Sequence, residues 1–95
     1  MYSVYIITNS RQTVFYTGVT NHLSRRLIEH FENRGRNETF AGRYNVHHLL
    51  YHEEFEDVEK AIAREKQIKK WRREKKLSLI RSVNPELEFL EELIL

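Results

Sequence analysis

The chain has 95 residues, 40% of them hydrophobic, with one proline, three glycines and no cysteine. That is one globular domain spanning residues 1–95, with a modest core and few apolar residues to spare. A disulfide framework and a thiolate zinc site are excluded. No apolar run approaches the ~20 residues of a membrane span. The N-terminus opens on a strand pattern instead of a signal peptide, so the expectation is a cytoplasmic protein with no membrane partner. Net charge is only +2, but it is unevenly spread. Lys66–Lys76 holds seven basic residues and one acid, Glu74, whereas every charge from Glu86 to Leu95 is acidic.

Residues 1–8, MYSVYIIT, are rich in β-branched and aromatic types, and both faces are apolar, which predicts a central strand. Asn9-Ser10-Arg11-Gln12 reads as a turn. Thr13 to Val19 reads as the return strand, ending at Gly18, where the backbone can approach something closely. Thr20 or Asn21 is the expected cap of a helix running to about Asn33. Its core stripe is Leu23, Leu27 and Phe31, with Arg26 and His30 one turn apart at the edge. Gly35 suits the stop, and Arg34–Arg43 reads as a basic loop.

Tyr44–Phe55 reads as a third strand. His47-His48 adjacency in a strand sends the two rings to opposite faces, which argues against a shared metal ion; with His52 they read as surface or sheet residues. Asp57 is a good cap for a helix from Val58 towards Trp71, where Glu65 falls on the apolar face between Ile62 and Ile68. A carboxylate there is costly unless paired. A further helix runs from Arg72 to Val83. A last one is expected from Glu86 to Leu95, with Asn84 as cap and Pro85 at its first position.

Two strands, helix, strand, helix, helix: around this order sit Tyr5, Tyr16, Arg26, His30 and Glu65. The sequence resembles the GIY-YIG nuclease domain, specifically its small stand-alone bacterial members, over nearly the whole chain. Ser3-Val4-Tyr5 stands at the first motif and Tyr16-Thr17-Gly18 at the second, ten residues apart. Ser3, Val4 and Thr17 depart from the family's glycine and two isoleucines. The tyrosines and Gly18 are retained. The run from Ala61 to Trp71 looks like the segment typical of the small members.

The resemblance implies an α+β domain, with a small three-stranded, largely antiparallel sheet flanked by helices. It implies a metal-dependent endonuclease acting on DNA, with catalytic residues Tyr5, Tyr16, Arg26 and His30 and a metal-binding Glu65. Mg²⁺ (or Mn²⁺) suits a single carboxylate, because it keeps most of its waters. Arg26 offers a fork matched to phosphate oxygens. Tyr5 is the expected base, Tyr16 the residue orienting water or phosphate, and His30 a partner for a tyrosine hydroxyl. Arg25, Lys69, Lys70, Arg72 and Arg73, interleaved with Trp71, form an expected phosphate track. Gly18 and Asn84 are expected in support. Branched DNA, single strands and RNA are all open as substrates. Two rival readings are a non-catalytic nucleic-acid-binding module and a domain that forms a homodimer, or binds a partner protein, through the acidic, leucine-bearing C-terminal helix.

Overall fold

A computed structural model describes residues 1–95. The elements run β1 (Tyr2–Thr8), β2 (Phe15–Thr20), α1 (Leu23–Glu32), α2 (Phe40–Arg43), β3 (His48–Phe55), α3 (Val58–Lys69), α4 (Arg73–Val83) and α5 (Glu91–Ile94). The three strands form one antiparallel sheet in the order β2-β1-β3. The architecture is α+β, as expected. No helix is long and apolar enough to cross a membrane.

β1 is central because both of its faces are covered. Val4 and Ile6 pack with Leu50, Ala61, Ile68 and Ile80 on the side of α3 and α4. Tyr5 and Ile7 pack with Leu27, Ala41, Val46 and Leu49 on the side of α1. Alternation along the strand thus assigns Tyr5 to the α1 side. The β1–β2 turn closes through Asn9, whose carbonyl accepts from the Gln12 amide at 3.0 Å and whose side-chain oxygen accepts from Thr13 and Val14.

Several boundaries differ from expectation. α1 is capped by His22, whose ring nitrogen accepts from the Arg25 amide, because Thr20 still belongs to β2. Phe31 is not in the core: it is 48% exposed, and His30 takes the buried place. The segment read as a basic loop contains α2, capped by Thr39. β3 begins at His48, four residues later than expected. His47 therefore precedes the strand, and its ring lies 4.1 Å from that of His48 instead of on the opposite face.

The last helix is short. Asn84 does not cap it; Asn84 ends α4 and is buried. A one-residue irregularity in β3, between the partners of Ile6 and Ile7, leaves Leu50 as the extra residue. The Leu50 carbonyl accepts from the Asn84 side-chain nitrogen at 3.0 Å. The same nitrogen donates to the Glu88 carbonyl, and the Asn84 side-chain oxygen accepts from the Glu88 amide. The following chain then lies along the free edge of β3. The Leu90 amide donates to the Leu49 carbonyl, and Glu91 accepts from the Leu49 amide and bonds His48 Nδ1 at 2.6 Å.

Candidate active site

Antiparallel pairing of β1 with β2 sets Tyr5 opposite Gly18 and Ile7 opposite Tyr16. Both tyrosines therefore face α1, and Arg26 and His30, one turn apart on α1, point back at them. The Tyr5 hydroxyl lies 2.9 Å from His30 Nε2, and Arg26 Nε donates to the Tyr5 oxygen at 3.4 Å. Arg26 Nη1 also pairs with Glu29 at 3.0 Å. Burial, with the charge of Arg26, pushes the His30 imidazole down to about 4. It is neutral at pH 7, with one nitrogen free to accept. Arg26 supplies only donors, so the Tyr5 proton is directed at His30 Nε2 and the remaining imidazole proton sits on Nδ1. Burial pushes the Tyr5 phenol up to about 12, against the opposing effect of the Arg26 hydrogen bond. The bond to Tyr5 raises Arg26 above its ordinary value, so its charge is permanent.

Gly18 is explained by this packing. A Cβ there would stand 2.5 Å from both Cζ and the hydroxyl oxygen of Tyr5. The Tyr5 ring lies directly across the β2 backbone, and only glycine leaves room. Ser3, where the family motif has glycine, takes ordinary strand backbone, and its hydroxyl donates to Glu54 at 2.8 Å.

The Tyr16 ring completes the cluster, 6.4 Å from Tyr5 and 5.5 Å from His30. A cleft of about 270 Å³ opens over it, lined among others by Tyr16, Arg26, Glu29, His30, Asn33 and Phe40. A second hollow of about 390 Å³ lies on the other side of Arg26, lined among others by Tyr2, Asn21, Arg25 and Ile62. Arg26 thus borders two openings while holding a buried phenol.

Glu65 comes from the other face of the sheet. On α3 it lies between Ala61 and Ile68, both fully buried, and its own side chain is 13% exposed. Ile62, expected beside it in the core, is 39% exposed. The Glu65 carboxylate pairs with Lys69 at 2.9 Å. The Lys69 ammonium stands 5.8 Å from the centroid of the Tyr16 ring, so Lys69 links Glu65 to the tyrosine cluster around the β2 edge. Glu65 lines neither opening bordered by Arg26.

Divalent ions of the Mg²⁺ type take hard oxygen donors and fill most of their shell with water and phosphate. The Glu65 carboxylate fits that chemistry, since its partner Lys69 is half exposed and free to swing away. Thr17, on the same α3 side of the sheet, carries the one buried side-chain oxygen without a hydrogen-bond partner. No three His, Asp or Glu residues converge as a ligand set, so an ion here rests on one carboxylate.

The basic residues divide by what they touch. Lys70, Arg72 and Lys75 line an open groove with Trp71, whose ring has Lys75 at 4.5 Å and Arg64 at 5.3 Å. Arg73 is committed elsewhere. It lies over Phe15 at 4.3 Å and donates to the Gln12 and Thr13 carbonyls, tying α4 to the β1–β2 turn. Five residues of the cleft, Glu29, Asn33, Thr39, Phe40 and Ala41, were missed by sequence reasoning. Glu29 was signalled by its i, i+3 spacing from Arg26. Asn33, at the C-terminal end of α1, carried no signal of its own, and Thr39, Phe40 and Ala41 carried none because α2 and its cap are positioned by tertiary contacts.

The family model of the GIY-YIG catalytic domain matches residues 1–78. The chain belongs to the GIY-YIG family. Its relatives include UPF0213 proteins of Staphylococcus aureus strains Mu3 and Mu50, each 36% identical over 78 residues, covering 82% of this chain and 92% of theirs. The NMR structure of a UPF0213 protein from Bacillus halodurans is similar throughout, with a TM-score of 0.57, 29% identity, and coverage of 98% of this chain and 97% of that one. A GIY-YIG domain implies a nuclease-type function, with nucleic acid as the substrate class.

Proposed function

We propose that this GIY-YIG protein is an endonuclease that hydrolyses DNA phosphodiester bonds with the help of Mg²⁺ or Mn²⁺. The observation that carries the reading is the hydrogen-bonded chain Arg26–Tyr5–His30, with a neutral imidazole at its end, beside an open cleft. Packing requires none of these polar groups, and a binding surface does not require a proton acceptor behind an arginine.

Arg26 releases Glu29 and turns its fork onto the phosphate, where its permanent charge stabilises the charge that develops on the oxygens. That movement uncovers the Tyr5 hydroxyl. The proton of the attacking water passes to the Tyr5 oxygen as the Tyr5 proton passes to His30 Nε2, leaving the phenol neutral and the imidazole charged. In the resting site, burial and the Arg26 charge disfavour the imidazolium; turning Arg26 onto the phosphate relieves the second of these and lets His30 take the proton across the 2.9 Å bond. Tyr16 borders the cleft and orients the water or the phosphate. Glu65 would hold the divalent ion, which supplies Lewis-acid stabilisation of the phosphate and leaving oxygen.

The test is cleavage of plasmid, branched and single-stranded DNA with Mg²⁺ or Mn²⁺. Glu65→Ala and Arg26→Ala should each lower the rate about 100-fold or more with unchanged folding by circular dichroism. Cutting by Glu65→Ala at the parent rate would remove Glu65 as metal ligand. If the parent cuts nothing yet binds DNA in a salt-dependent way, the protein is a binding module.

A further inference from the structure

The geometry points to a base-stacking subsite beside the cleft: Phe40 and Tyr44, with Tyr16, receive the unpaired base of a nucleotide next to the scissile phosphate. The inference rests on the nucleic-acid reading of the site and names where a base goes.

Three observations carry it. First, the rings form a row leading out of the cleft. Tyr16 and Phe40 are near parallel (26°) with centroids 6.3 Å apart, and Phe40 and Tyr44 are 4.9 Å apart. The Tyr16–Phe40 centroid separation of 6.3 Å is well beyond the ~3.4 Å rise of directly stacked rings, so the two faces are not closed on one another and a base can stack on the exposed face of Phe40. Second, packing does not account for the outer rings: Phe40 is 51% and Tyr44 44% exposed, although a small core has few aromatics to spare. Third, the segment is basic and held in place. Residues 34–44 carry Arg34, Arg36 and Arg43 against one acid, Glu38, matching a phosphate backbone. The Gly35 amide donates to the Gly42 carbonyl at 2.7 Å, and the Val46 amide to the Ala41 carbonyl at 2.8 Å. A Cβ on Gly42 would lie 2.5 Å from the Arg36 carbonyl oxygen. α2 therefore presents its rings from a tightly packed turn. Aromatic rings in a basic setting bind bases without regard to their identity, and Asn33 in the cleft offers an amide to a base edge.

The test is fluorescence anisotropy with a labelled 12-nucleotide oligothymidine, an abasic strand of the same length and a 12-base-pair duplex, in EDTA so that no strand is cut. The parent should bind oligothymidine more tightly than the abasic strand. Phe40→Ala and Tyr44→Ala should each weaken oligothymidine binding about 5- to 150-fold, with abasic-strand and duplex binding within about twofold of the parent. Phe40→Trp should retain binding; Phe40→Leu, which keeps the apolar bulk for folding, should not. Equal affinity of the parent for both strands, unchanged binding by the alanine variants, or equal losses on all three ligands would overturn the subsite. A failed nuclease reading shows separately, as absent cleavage with Mg²⁺.

Discussion

Gly18→Ala tests the site's architecture without removing any catalytic group. The new methyl would stand 2.5 Å from two Tyr5 atoms and 2.9 Å from a third, all far inside van der Waals contact. Tyr5 has nowhere to retreat, being 1% exposed, hydrogen-bonded to His30 and held by Arg26. Overpacking of this kind costs about 1–3 kcal/mol, and displacing the Tyr5–His30 hydrogen bond adds about 1 kcal/mol. The expected loss is therefore about 2–4 kcal/mol, or a melting temperature lower by about 10 °C or more for a domain of this size. Denaturant melts give the first number. NMR titration of His30 gives an independent one: its imidazole, held near 4 by burial, should move back towards its ordinary value once Tyr5 no longer covers it. A Gly18→Ala protein with parental stability and an unmoved His30 titration would refute the claim that glycine is there for Tyr5.

His30 also makes stability depend on pH. Its folded value, about 4, lies below its ordinary value of 6.5, so the unfolded chain binds more protons between them. The contribution is complete above pH 6.5 and is lost as the pH falls towards 4. Urea melts from pH 8 to 4 should show this slope, and His30→Phe should flatten it. Asn84→Ala should cost about 2–4 kcal/mol in the same assay, since it strands the buried Leu50 carbonyl along with two Glu88 backbone groups. Asn84→Asp should restore little, because a carboxylate cannot donate. Lys70→Ala and Arg72→Ala should each reduce the slope of log binding constant against log salt by about 1 with DNA. Arg73→Ala should instead lower the melting temperature, since its guanidinium holds the β1–β2 turn.

Much of the molecule was legible in the chain because it follows from local rules. Two apolar faces on residues 2–7 mark the central strand, and Asp57 caps its helix as expected. The i, i+4 spacing of Arg26 and His30 puts both on one side of α1, and strand alternation brings Tyr5 and Tyr16 to that same side. The errors fall where long-range contacts overrule local preference. Phe31 has the better apolar credentials, yet His30 is buried because Tyr5 offers it a hydrogen bond. Asn84-Pro85 looks like a helix start, yet a β-bulge two elements earlier needs a donor for the Leu50 carbonyl. The Arg34–Arg43 segment looks like open loop, yet Gly42 packs tightly against the end of α1.

The sequence by itself determined the α+β order, the central strand and the residue types of the site, since these depend on periodicity and spacing within single elements. Only the tertiary structure decided what those residues do to one another. It alone pushes the His30 titration down by burial, aims the Tyr5 proton at it, gives Gly18 its reason and brings Phe40 over Tyr16. It also places Glu65 on the opposite sheet face from the tyrosines, with Lys69 standing between Glu65 and Tyr16. The physical reason is that burial, hydrogen-bond direction and the approach of opposite sheet faces depend on groups distant in the chain.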